Sequence, residues 1–201
     1  MNLMPNHLAV VGFSDYHGKI NCVDGWFDVG DPQANEYSYI IEEVEDLIRV
    51  REMIGCQRAF LVCCNKENQL SAIRSLALLL NKIGFIAMDN DDVFRYMPSI
   101  VDYSVYEIAG DAYLHNLRQV LRDVPAHLET GKQPWVQIEG DLEKELSLSD
   151  IESIVDKIEK ATGNTGNQFT FMYSAQSVEE RNPPVAAFWL PFPEEKDEPE
   201  N

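Results

Sequence analysis

The chain has 201 residues, 45% hydrophobic and 25% charged, which excludes a wholly disordered polymer and leaves room for a buried core without disulfides or a structural metal. Its net charge of −18 argues against direct nucleic-acid binding, because neutralising phosphates takes a Lys/Arg face, and it points to a basic partner. Only the stretch 56–88 is net positive, at +3, so the acidity is spread along the body.

The first apolar run, HLAVVGF at 7–13, predicts a strand. Gly18 and Gly25 then suggest a hairpin-like connection into a second strand, near Ile20–Val23 or Trp26–Val29. NEYSYIIEEVEDLIRVREMIG follows. Its Ile40, Ile41, Val44, Leu47, Ile48 and Ile54 recur at three- and four-residue steps, which predicts an amphipathic helix capped by Gly55.

AFLVCC at 59–64 is a continuous apolar run of strand length, as expected for a strand covered on both faces. QLSAIRSLALLLNKIG carries Leu70, Ile73, Leu76, Ala77, Leu80 and Ile83 on one helical stripe, and FIAM resumes a strand, giving a βαβ unit. From Ser104 a second stripe of Val105, Ile108, Ala109, Ala112, Leu117, Val120 and Leu121 predicts a helix that ends at Pro125.

PWVQI at 134–138 reads as a short strand with Pro134 at its tolerated first position. Ser149 and Glu152 form a capping-box pattern that opens a helix with Ile151, Ile154, Val155 and Ile158 inward and Gly163 as its stop. QFTFMYS and VAAFWL close the fold as strands. The expected architecture is α/β or α+β, a mixed sheet of about six strands with about four helices around a single core. The globular domain is expected over 1–190, with lobes 1–128 and 129–190 as the alternative division, and the Pro- and Glu-rich 191–201 as an acidic disordered tail.

No apolar run approaches the roughly 20 residues of a membrane-spanning helix, and the start lacks the basic segment of a signal peptide. A cytoplasmic protein without membrane association is expected. Cys22, Cys56, Cys63 and Cys64 match no zinc spacing, and the adjacent pair within a strand is a poor disulfide framework, so they read as buried free thiols. His7, His17, His115 and His127 lie far apart in the sequence, and TGNTGNQ lacks the Lys and Ser/Thr that complete a phosphate loop. No catalytic residue, metal site or cofactor is expected.

The sharpest feature is EEVED, in which Glu42, Glu43, Glu45 and Asp46 fall within five residues. On a helix rising about 1.5 Å per residue they would span about 7 Å. That charge density approaches the one charge per about 1.7 Å of duplex DNA. Such a helix face would imitate a phosphate backbone locally, although carboxylates at a helix start are also favoured by the macrodipole. Asp89, Asp91 and Asp92 of DNDD form a second acidic group. Val93 and the missing glycine break the calcium-loop pattern, so a turn that caps the next helix is the plainer reading.

Tyr16, Gly18, Gly25, Trp26 and Phe27, followed by Glu42 to Asp46, resemble the N-terminal segment of the DNA-mimic antirestriction proteins of mobile elements. Pro98, Asp102, Tyr103 and Tyr106 are similar to a second short segment of that family. The resemblance implies an elongated acidic surface that occupies the DNA groove of type I restriction enzymes, with no chemistry and no cofactor.

The expected function is therefore a non-enzymatic acidic inhibitor that binds the basic nucleic-acid-binding surface of a partner protein, in an anti-defence role. Glu42, Glu43, Glu45 and Asp46 would be the partner-binding residues, with Asp89, Asp91 and Asp92 in support; a homodimer is compatible with this. The alternatives are an immunity or antitoxin protein that neutralises a cognate toxic nuclease, and a small metal-dependent enzyme with an Asp-rich cleft.

Overall fold

The computed structural model describes residues 8–11, 23–27, 38–42, 60–80, 95–98, 100–108, 133–140, 146–162, 169–175 and 183–191. Eight strands form one sheet: β1 (Leu8–Val11), β2 (Val23–Phe27), β3 (Ser38–Glu42), β4 (Phe60–Cys63), β5 (Ile100–Glu107), β6 (Trp135–Gly140), β7 (Thr170–Ala175) and β8 (Val185–Pro191). The described helices are α1 (Gln69–Leu80) and α2 (Leu148–Thr162), with a 3₁₀ turn at Lys66–Asn68 before α1. The strand order is β2-β1-β3-β4-β5-β8-β6-β7. Every described pairing is parallel except those of β8, which runs against β5 and β6 on either side of it.

The class is α/β, one of the two expected, and the counts among the described residues, eight strands and two helices, differ from six and four. Two expected helices begin as strands. Ser38–Glu42 is β3, paired in parallel with both β1 and β4. Its Tyr-Ile-Ile run suits a strand held between two others, and the neighbours supply the backbone partners that an isolated helical stripe would have found within itself. Likewise Ile100–Glu107 is β5, flanked by β4 and β8. Val101, Tyr103 and Val105 alternate with Asp102, Ser104 and Tyr106, a period of two that competes with the helical stripe chosen from the same residues. The remainders of both predicted helices, 43–55 and 109–125, lie outside the described residues, as do FIAM and the tail after Pro191.

The expected hairpin between the first two strands is also corrected, because β1 and β2 are parallel and Gly25 lies inside β2. Residues 12–22 between them are about the dozen that a crossover needs. The expected βαβ unit ended on FIAM, which lies outside the described residues; among the described residues β4 and α1 are followed by β5, which is parallel to β4.

Side chains pack on both faces of the sheet. On one face Ile73, Leu76 and Ala77 of α1 meet Val62, Val101, Tyr103, Trp135 and Trp189. On the other, Ile154 and Ile158 of α2 meet Val136, Ile138, Phe188 and Leu190. Neighbouring residues of β6 and of β8 fall in opposite clusters, which is why VAAFWL is an unbroken apolar run and why Gln137 and Glu139 of β6 are buried among apolar neighbours: β8 and β6 are buried along nearly their whole length. Each fully buried aliphatic side chain such as Ile73 or Leu76 contributes about 1.5–3 kcal/mol.

The strand ends are tied by backbone and side-chain bonds. Ile108 N–H donates to the Pro184 carbonyl at 2.8 Å, joining the end of β5 to the start of β8. Thr170 N–H donates to the Pro134 carbonyl at 2.9 Å, and its hydroxyl to Gln133 Oε1 at 3.1 Å. Tyr173 O–H donates to the Gly140 carbonyl at 2.6 Å, where a β-carbon on Gly140 would come within 2.5 Å of Leu146 Cδ1.

The cap of α2 is shifted by two residues from the expected one. Ser147, not Ser149, closes the box: its N–H donates to Asp150 Oδ2 at 2.8 Å, and Asp150 N–H returns to Ser147 Oγ at 3.3 Å. Two overlapping Ser-x-x-acid patterns exist here, Ser147–Asp150 and Ser149–Glu152. The earlier one lets Leu148 join the helix, while Ile154 and Ile158 face inward under either choice.

Candidate functional site

Two polar constellations stand out among the described residues, one inside the sheet and one where β3 and β4 end beside β5.

The interior one lies beneath α1. Gln137, in the middle of β6, donates through Nε2 to the Ser75 carbonyl at 2.8 Å and to Ser174 Oγ at 3.1 Å. Its Oε1 accepts from Trp189 Nε1 at 3.1 Å. An indole N–H can only donate and a carbonyl can only accept, so these two partners dictate which way the amide points. Ser75 Oγ and Tyr103 O–H share a further bond of 2.8 Å. The Tyr103 ring packs on Trp189 with centroids 4.6 Å apart, a tilted contact.

All these groups are buried, as is Glu139 at the carboxyl end of β6. Burial, and then the charge of Glu139, push the Tyr103 hydroxyl well above its ordinary pKa, against the opposing effect of its bond to Ser75. The network therefore holds a neutral tyrosine in a closed interior. Chemically it joins α1 to β5, β6, β7 and β8, and offers no reactive group to solvent.

The second constellation is set by register. Glu42, the last residue of β3, is the Cα partner of Cys63 on β4, and Cys63 is the partner of Asp102 on β5. Neighbouring strands lie about 4.8 Å apart, so the three residues form one row across three parallel strands. Cys63 is fully buried, and its thiol is pushed up to about 12, first by burial and then by the negative charges of Asp102 and Cys64. It stays protonated at neutral pH and is no nucleophile. Burial also raises the carboxyl of half-buried Asp102. Cys63 and Cys64 are buried and form no disulfide, in line with the expected buried thiols; Cys22 and Cys56 lie outside the described residues.

Of the residues expected to bind a partner, Glu42 closes β3 instead of riding on a helix, so the helical spacing of about 1.5 Å per residue does not apply at that point. Glu43, Glu45, Asp46, Asp89, Asp91 and Asp92 lie outside the described residues. Asp102, Tyr103 and Tyr106, which entered through the family resemblance, lie in the sheet on β5. Tyr103 packs in the α1 core and Tyr106 against Phe188, with centroids 5.9 Å apart.

Sequence reasoning gave no role to Gln137. Its signal was an amide between the apolar residues of WVQI, which has to find partners inside the core. Among the described residues no three His, Cys, Asp or Glu side chains gather as a metal site, and no helix is long and apolar enough to cross a membrane.

The strand order adds one feature where β3 ends. From β1 the chain passes to β2 on one side, while β3 leads on to β4 and β5 on the other. The order β2-β1-β3-β4-β5 thus reverses direction between β1 and β3, and open α/β sheets bind ligands outside the carboxyl ends of strands at such a point. Glu42 is the residue that ends β3 there.

Fold and edge together define an α/β protein with a largely parallel sheet and one antiparallel strand, β8, set inside it. No protein-family model matches the chain. No curated protein matches it. Among solved structures, CetZ from Methanosaeta thermophila strain DSM 6194 aligns with 77% of this chain at 16% identity and a TM-score of 0.40. The alignment takes in 52% of that protein, so the chain spans about half its length. Likeness at this level assigns neither a fold nor a function.

Proposed function

We propose that this chain is a non-enzymatic acidic inhibitor that binds the basic, nucleic-acid-binding surface of a partner protein, in the manner of a DNA mimic with an anti-defence role. The observation that carries the reading is the net charge of −18, distributed along the body. Its densest run, Glu42, Glu43, Glu45 and Asp46, starts at Glu42, the last residue of β3. Complementary charge of this kind speeds encounter and makes affinity fall with salt. A protonated, buried Cys63 and a closed Tyr103–Ser75–Gln137 network are consistent with a protein that works by its surface.

The test is capture from a native lysate at low salt, followed by the same capture with Glu42, Glu43, Glu45 and Asp46 all changed to Lys. The reading expects nucleic-acid enzymes that elute with salt, and at least about a tenfold loss of affinity in the variant, which is roughly 1.4 kcal/mol. Unchanged affinity refutes the assignment. One tight, salt-resistant partner would favour the immunity or antitoxin reading instead.

The reversal of strand order between β1 and β3 favours a second reading, a small metal-dependent enzyme with an Asp-rich cleft at the carboxyl edge. It expects Mg²⁺ or Mn²⁺ to raise the melting temperature, and Asp91→Asn to reduce that shift. The absence of any metal-dependent shift would count against it.

A further inference from the structure

We draw no further inference here: the strongest candidate, the Glu42–Cys63–Asp102 row where β3 and β4 end beside β5, is set by strand register alone, and nothing among the described residues shows a ligand that it would hold.

Discussion

Replacing Gln137 by Leu tests the interior network most directly. Leu approximates the shape of the amide side chain but removes both donors and the acceptor. Trp189 Nε1–H then loses its acceptor at 3.1 Å, and the Ser75 carbonyl and Ser174 Oγ lose a donor at 2.8 and 3.1 Å. Trp189 is fully buried, so water cannot replace the lost acceptor without opening the core. An orphaned buried donor costs about 1–3 kcal/mol, whereas the Ser174 hydroxyl can rotate and contributes less. The expected destabilisation is about 2–4 kcal/mol, or roughly 4–16 °C in melting temperature for a domain of this size. Urea denaturation followed by far-ultraviolet circular dichroism should show a lower midpoint with an unchanged slope. Trp189→Phe in the same background removes the orphaned N–H, so the double variant should lose less than the two single losses added together. A loss for Gln137→Leu below about 0.5 kcal/mol, or strict additivity with Trp189→Phe, would refute the reasoning.

Asp102→Asn should stabilise the protein at neutral pH. The folded carboxyl has a raised pKa because burial disfavours its charge, so the folded state binds the proton more tightly than the unfolded chain. The associated stability is fully present below the ordinary value near 3.8 and is lost as pH rises through the folded pKa. The advantage of the Asn variant should therefore shrink on acidification through that range; a difference that does not vary with pH would overturn the assignment. Cys63 should resist alkylation in the native protein at pH 8, where a thiol of pKa about 12 is ionised in about one molecule in ten thousand, and react once urea unfolds the chain. Peptide mapping that found Cys63 labelled at the native rate of a free thiol would contradict its burial. For the α2 cap, Ser147→Ala should cost about 0.5–2 kcal/mol and Ser149→Ala much less. Equal losses would favour the box that begins at Ser149.

Local pattern was enough to recognise several elements because their burial repeats at the period of the element itself. The α1 stripe of Ile73, Leu76 and Ala77 and the α2 stripe of Ile154 and Ile158 are both inward in the structure. The same logic made VAAFWL and WVQI strands, although the sequence did not disclose that β8 lies between β5 and β6 and runs against both. Of the candidate site, the acidic run was visible as composition, but the row it begins was not. Glu42, Cys63 and Asp102 are 21 and 39 residues apart in the chain, and only strand register sets them side by side.

By itself the sequence determined a mixed α and β make-up, the acidic character and the presence of strands at FLVC, WVQI and VAAFWL, since these follow from composition and from short apolar runs. Tertiary structure decided the rest. Residues 38–42 and 104–107 carry apolar spacings that fit a helix and a strand alike, and the choice fell to the backbone partners offered by β1, β4 and β8. Which acids are stressed was decided in the same way: Asp102 within the sheet is held toward its neutral form, while exposed Asp150 at the start of α2 is held toward its charged form by the bonds it accepts from Ser147. A carboxylate carries the same symbol in both places, and its energy is set by what the fold brings next to it.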